Sequence, residues 1–275
     1  MPLKKDNSGR RWVEMEFLVP GTPEQVWQAI ATGPGMSAWF TSVTVDEREG
    51  GAITFDFGDA NCGQDVSTGK VTVWNPPERF AYEEYNWSGD APPVGTEVTV
   101  TGRSGDSCVV RMVHSLFTER DDWDDELESF ETGWPGFFEV LRVYLRHFAG
   151  RPSAAVHAMS GAPGGDAEIW AKLTSGLNLA GANVGDRCQS PSGAPRLAGT
   201  VERIHQTAIM REIMLRLDEP HEGVAVIGSC DMGGEARGMA SIFFYGPQAS
   251  DTAAAEQKKW TDWMRGVLEG DTVAP

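Results

Sequence analysis

An α+β chain of two tandem domains is what this sequence predicts, each domain an antiparallel sheet closed by a long helix. Three observations predict it: an internal echo between the two halves, the order of hydrophobic periodicities in the first half, and a size and composition that suffice for two ordinary cores. The chain has 275 residues, 40% of them hydrophobic, enough for two domains that each bury their own interior.

The echo begins at Val13–Gly33, which lies on Val156–Gly176 at a constant offset of 143 residues, so that Pro20-Gly21, Trp27 and Gly33 meet Pro163-Gly164, Trp170 and Gly176. The offset then shrinks to 130, where Gly69-Lys70-Val71 meets Gly199-Thr200-Val201, and to 126, where Trp134 meets Trp260. Loop deletions in a second copy leave such a trace, and a period above a hundred residues means two domains rather than a solenoid. The division is expected near Ala149–Ser153, where Gly150 and Pro152 end a helix, giving domains of residues 1–150 and 151–275.

Within the first copy, Val13, Met15, Phe17 and Val19 alternate with Glu14, Glu16 and Leu18, the period of a strand with one buried face. Thr22-Pro23-Glu24-Gln25 supplies an N-cap, a proline at the first helical position and a glutamine able to close a capping box, and Val26, Trp27 and Ile30 form the apolar side of the helix that follows. Gly33-Pro34-Gly35 breaks that helix, and a short second one is expected over Met36–Phe40. Six alternating segments come next, Val43–Asp46, Ala52–Phe57, Thr68–Trp74, Arg79–Tyr85, Glu97–Thr101 and Cys108–Leu116, separated by Gly, Pro, Asn and Asp clusters as in a meander. The acidic stretch Glu119–Glu131 leads into a long amphipathic helix marked by Trp134, Phe138, Leu141, Leu145 and Phe148.

Charge narrows the partners. The formal net charge is −17, and residues 1–150 hold 12 Lys/Arg against 25 Asp/Glu while residues 151–275 hold 11 against 15. Phosphate backbones and anionic headgroups need Lys/Arg to replace their counterions, so nucleic acid and membrane partners are disfavoured. No apolar run approaches the roughly 20 residues that cross a bilayer, and the basic N-terminus has no apolar segment behind it, so a cytoplasmic location is expected. Cys62, Cys108, Cys188 and Cys230 are widely spaced and read as free thiols.

At the joints between these elements stand Trp39-Phe40, Gly50-Gly51, Gly69-Lys70-Val71, Pro76-Pro77-Glu78-Arg79-Phe80 and Gly133-Trp134-Pro135-Gly136-Phe137, the last expected to open the long helix. Five such pieces in this order resemble the activator of heat-shock protein 90 ATPase C-terminal-like family of the START/Bet v 1-like (SRPBCC) superfamily. The resemblance covers residues 12 to 149 well and 154 to 270 only in outline; the second copy lacks the Pro-Pro-Glu-Arg turn and has much of the strand pair near Trp39 to Phe57 shortened. It implies two helix-grip domains, each a curved sheet around its C-terminal helix, the second copy shortened and degenerate. These motifs specify a fold and not a reaction.

In the implied fold the concave face and the long helix enclose a pocket. Strand phase puts Val13, Met15 and Phe17 on one face, and likewise Ile53, Phe55 and Phe57, Phe80 and Tyr82, and Val110, Met112, His114 and Leu116. All of them can be core packing. The functional alternative is that Trp39, Phe57, Tyr82, Met112, His114, Phe138 and Leu141 surround a small hydrophobic or amphipathic ligand, as aromatic walls with one or two polar groups would.

Three functions stay open. Ligand binding is the first. A cyclase- or hydrolase-like enzyme acting on an aromatic substrate is the second, resting on His114 with help from Tyr82 or Glu84, although no triad or dyad is visible and a lone histidine is more often a hydrogen-bonded core residue. A chaperone partner, which the resemblance invites, is the third. His147, His157, His205 and His221 show no pairing by spacing, and the run Asp121, Asp122, Asp124, Asp125, Glu126 and Glu128 lacks a calcium loop's glycine and ligand spacing, so no metal is expected. Gly33-x-Gly35-x-x-Ala38 follows a helix rather than a strand, so it is not a dinucleotide fingerprint, and Walker and Gly-x-Ser-x-Gly motifs are absent. No cofactor is expected.

Overall fold

The computed structural model describes residues 3–58, 66–118, 120–161, 164–207, 210–231 and 236–269. The chain divides into two compact units, Met1–Gly150 and Arg151–Pro275.

The first unit runs β1 (Lys4–Lys5), β2 (Arg10–Pro20), α1 (Pro23–Ala31), α2 (Gly33–Ser37), β3 (Ser42–Val45), β4 (Ala52–Asp56), β5 (Val66–Asn75), β6 (Arg79–Tyr85), β7 (Val94–Arg103), β8 (Ser107–Phe117) and α3 (Asp124–His147). Its eight strands form one antiparallel sheet in the order β1-β2-β8-β7-β6-β5-β4-β3. Chain neighbours therefore pair throughout the meander, while β2 crosses to β8. α1 starts as its sequence dictates: Thr22 Oγ1 accepts from Gln25 N at 3.3 Å and Gln25 Oε1 accepts from Thr22 N at 3.0 Å.

Two helix boundaries differ from expectation. The short helix occupies Gly33–Ser37 rather than Met36–Phe40, because Gly33-Pro34-Gly35 is its first turn, capped by Thr32 Oγ1, which accepts from Gly35 N at 3.1 Å. A Cβ on Gly35 would stand 1.8 Å from the Gln28 carbonyl oxygen, so glycine there allows α2 to fold back onto α1. The long helix starts at Asp124, and Gly133–Phe137 lies in its interior instead of opening it. Pro135 removes one helical N–H, a loss of about 3 kcal/mol in an isolated helix, and buried Leu127, Trp134 and Phe138 hold the helix on either side of it. Acidic Asp124–Glu126 in the first turn and Arg146 and His147 in the last suit the helix dipole.

The second unit runs β9 (Ser153–Gly161), α4 (Asp166–Gly176), β10 (Arg187–Gln189), β11 (Ala198–Gln206), β12 (Met210–Glu219), β13 (Gly223–Asp231), β14 (Ala236–Tyr245) and α5 (Ala249–Glu269). Its six strands are ordered β10-β11-β12-β13-β14-β9. The architecture is that of the first unit, shortened: one helix stands in place of two, and the three-residue β10 is what remains of the strand pair β3 and β4. Echoed residues take the same posts. A Cβ at Gly69 would meet the Glu83 carbonyl at 2.2 Å, and one at Gly199 would meet the Arg216 carbonyl at 2.3 Å. In both places the neighbouring strand approaches too closely for a side chain.

Each long helix also guards an edge. Arg142 Nε of α3 donates to the Leu18 carbonyl at 2.8 Å, and Gln257 Nε2 of α5 donates to the His157 carbonyl at 2.7 Å, closing backbone groups on β2 and β9 that lack a neighbouring strand there. Cys108 and Cys188 are free and buried, and Cys230 is buried; Cys62, Glu119 and Pro163 lie outside the described residues.

Candidate functional site

Register brings three polar side chains into one row on the helix-facing side of the first sheet. Tyr82 of β6 pairs with Thr96 of β7, Thr96 pairs with His114 of β8, and Val71 and Val13 end the row. Directly paired residues share a face. The next row is apolar, Phe80, Val98, Met112 and Met15. On the other side lies Glu84, two residues from Tyr82 along β6, accepting from Ser67 Oγ at 2.6 Å. The helix-facing side of the sheet thus sets a polar row beside an apolar one.

α3 packs on these rows with residues four apart, which share one helix face. Phe138 stacks on Phe17 at 3.7 Å, Trp134 lies parallel to the His114 ring at 5.7 Å, and Phe130 stacks on His114 at 4.3 Å. Phe40 extends the aromatic wall, with ring centroids 4.9 Å from Trp134, 4.8 Å from Phe137 and 5.8 Å from Phe57. Two basic residues hold the first turn of α3 to the sheet edge, since Arg11 donates to Asp124 at 2.7 Å and Lys5 does so at 2.8 Å.

His114 is the chemical centre of the row. It is 2% exposed, its Nδ1 is 2.9 Å from Thr96 Oγ1, and its Nε2 is buried with no hydrogen-bond partner among the described residues. Burial pushes its pKa down to about 3, so the ring is neutral. Tyr82 is held well above the ordinary phenol value by burial and then by the Glu84 charge. Burial also raises the Glu84 carboxyl, against the opposing hydrogen bond from Ser67. A neutral imidazole of such low basicity is a poor proton acceptor at neutral pH, where a general base works best with a pKa near 7.

Of the residues singled out in the sequence, Trp39, Tyr82, Met112, His114, Phe138 and Leu141 are buried between sheet and helix, and Phe57 is half-buried at the rim of the aromatic cluster. Trp39 has a structural bond of its own, Nε1 donating to the Ala29 carbonyl at 2.9 Å. Sequence reasoning passed over Thr96, Ser67, Phe40 and Phe130. The alternation Val94, Thr96, Val98, Val100 would have revealed Thr96, had the strand not been started at Glu97. Phe130 follows from the four-residue spacing to Trp134 once the helix is begun at Asp124. Among the described residues no three His, Cys, Asp or Glu side chains are placed to hold a metal ion, and no helix is long and apolar enough to cross a membrane.

Residues 20–146 match the family model described as Activator of Hsp90 ATPase homolog 1-like protein. Among solved structures, the chain is similar to DynU16, a protein of the dynemicin biosynthetic locus, at 17% identity over 93% of this chain and 96% of that one, with a TM-score of 0.42. It is also similar to the di-domain ARO/CYC BexL of the BE-7585A biosynthetic pathway, at 13% identity over 96% and 99%, with a TM-score of 0.45. A third is the Aha1 dimer from Colwellia psychrerythraea, at 22% identity over 50% and 96%, with a TM-score of 0.40. No curated protein matches the sequence. None of these likenesses bears on a substrate.

Proposed function

We propose, for a chain whose first unit belongs to the Activator of Hsp90 ATPase homolog 1-like family, that this unit binds a small hydrophobic or amphipathic molecule between its sheet and α3. The observation that carries the reading is the unpartnered Nε2 of His114, buried at the polar end of a trough walled by aromatic rings. An unsatisfied buried polar group costs about 1–3 kcal/mol. A ligand that supplies the missing hydrogen bond recovers this and adds the burial of its own apolar surface. Access requires the first turns of α3 to lift, and Arg11 and Lys5 are the residues that hold them down. The acidic balance of residues 1–150 favours neutral or cationic ligands over anionic ones.

Binding is favoured over catalysis because the group best placed for proton transfer, His114, is the one that burial disables. An enzyme built here would have to work through Glu84, whose raised pKa suits a proton donor. Native mass spectrometry of the protein purified from its own host tests the reading. A discrete extra mass, lost on denaturation, is the expected result. A bare chain whose tryptophan fluorescence is also unmoved by a flat apolar probe such as 9-fluorenone ends it, and leaves catalysis through Glu84 and a chaperone partner as the readings to test next.

A further inference from the structure

The turn that joins β6 to β7 lays the Trp87 ring against the start of α3. Its centroid is 6.3 Å from that of Trp123, at an interplanar angle of 60°, and 5.5 Å from that of Phe130, at 37°. The indole is fixed by its own turn, Nε1 donating to the Pro92 carbonyl at 2.8 Å. All three rings are half-buried, so part of each still meets solvent. Residues 123, 126 and 130 stand three and four apart and therefore follow one stripe of the helix, which sets Glu126 between the two residues that Trp87 touches. Its Oε2 is buried and has no hydrogen-bond partner among the described residues.

That oxygen is unfavourable where it stands. It has left water without gaining a donor, and the faces of the neighbouring rings are themselves negative. The helix dipole accounts for a carboxylate in the first turn, but not for burying one of its oxygens unpaired. Nor does the architecture demand the arrangement. At the offset of 126 residues that brings Trp134 onto Trp260, the matching posts are Ala249, Thr252 and Glu256, and the second unit assembles its core without the rings.

A cation is the kind of group that ring faces and a carboxylate both attract. The protein's own cations lie elsewhere: among the described residues the cation–π contacts are those of Arg10 with Trp12 and Phe117. The basic side chains that reach this segment are paired, Lys5 and Arg11 with Asp124 and Arg120 with Asp122. We propose that Trp87, Trp123, Phe130 and Glu126 form a binding site for an alkylated ammonium group that keeps an N–H, such as a protonated tertiary amine. The N–H donates to Oε2 of Glu126, and the alkyl groups lie on the rings. A quaternary ammonium satisfies the rings and leaves Oε2 without its hydrogen bond, while a primary ammonium holds its water too strongly to exchange it for ring faces. The acidic balance of residues 1–150 draws cations towards the site. His114 has no part in it, and it holds or fails independently of the binding reading above.

Trimethylammonium and tetramethylammonium chloride, titrated into the full chain at constant ionic strength, test this, with the NMR signals of the Trp87 and Trp123 indole N–H groups as the readout. Saturable shifts of both signals are expected, with trimethylammonium bound about tenfold more tightly. Glu126→Met keeps the length of the side chain, removes charge and acceptor together, and should abolish that preference. Asp125→Asn removes an equal charge from the same turn at an exposed position and should keep it. Trp87→Leu, read at Trp123, should weaken both ions. The remaining indole signals report that each variant is folded. Unmoved Trp87 and Trp123 signals in the wild type, equal affinity for the two ions, or undiminished binding in Trp87→Leu overturns the proposal. Equal losses in Glu126→Met and Asp125→Asn also overturn it, by reducing it to a general attraction of cations to an acidic surface.

Discussion

The two units place opposite chemistry on the same side of similar sheets. In the first, the row beneath the long helix reads Tyr82, Thr96, His114; in the second, the comparable rows read Ile213, Ile227, Ala240, Ala158 and Leu215, Ala225, Ile242, Val156. The first helix meets its sheet with Phe130, Trp134 and Phe138, and the second with Trp260, Met264 and Leu268. Ala158, Ala225 and Ala240 share one buried cluster with the large Trp260 and Phe244, so large and small residues are combined in the second core. One architecture therefore carries a buried polar row beneath its long helix in one unit and apolar rows in the other. The choice is made by a few side chains on three central strands.

The largest expected effect breaks this comparison if it fails. Trp260, 1% exposed, has only its core to serve, and Trp260→Ala is expected to destabilise the chain by about 3–5 kcal/mol in urea unfolding followed by circular dichroism. On the proposed binding reading Trp134→Ala should cost less, about 1–3 kcal/mol, because a wall that exchanges contacts with a ligand tolerates truncation better than a filled core. Equal costs would mean that the first interior is as solid as the second.

A smaller effect sharpens the role of His114. Its folded pKa of about 3 lies below the ordinary 6.5, so the unfolded chain takes up a proton that the folded chain refuses. Its contribution to stability is therefore complete above pH 6.5 and is lost as pH falls from 6.5 towards 3, with a slope of at most about 1.4 kcal/mol per pH unit. Other groups titrate nearby: His157 of the second unit has the same sign, Glu14, lowered to about 2 by Arg111 and Lys4, adds acid sensitivity below pH 4.5, and raised Glu84 and Glu212 oppose it. Subtracting the His114→Phe curve from the wild-type curve isolates His114. The variant should lose less stability between pH 6.5 and 4, while at pH 8 the two should agree within about 1 kcal/mol. Parallel curves would show that His114 protonates freely in the folded protein.

Smaller again is the latch on α3. The Arg11–Asp124 pair is partly buried, with side chains 11% and 20% exposed, and Arg11→Ala is expected to cost about 1 kcal/mol. The informative readout is local. Amides over residues 124–134 should exchange faster while those of β13 stay unchanged, and uniform acceleration would deny that the first turns of α3 open on their own.

The comparison was only partly legible in the sequence. Alternation in Val13–Val19 and the capping residues Thr22 and Gln25 act locally, within a few residues, and they place β2 and α1 directly. Gly133-Trp134-Pro135 misled because a proline beside two glycines has the local signature of a helix start, whereas packing of Leu127, Trp134 and Phe138 carries α3 straight through it. His114 was visible as a polar residue on an apolar face. Its bond to Thr96 and its place in one row with Tyr82 were not, because they depend on register across three strands, which only the folded meander sets.

The smallest prediction concerns the one helix start that the two units build differently. α1 begins with Thr22 in a reciprocal capping box, whereas α4, at the same offset of 143 residues, begins with Gly165 and no side-chain cap. Thr22→Ala should therefore cost about 1 kcal/mol. Gly165 has φ −89° and ψ 165°, an extended conformation any residue adopts, and a Cβ there meets nothing within 4 Å. Gly165→Ser can then supply the missing acceptor for a first-turn amide and reduce the freedom of the unfolded chain, a gain of a few tenths of a kcal/mol up to about 1. A rise in the unfolding midpoint with unchanged denaturant slope is the expected result. A fall would mean that the start of α4 tolerates no side chain, and that its missing cap is a requirement of the second unit's packing rather than a relaxation of it.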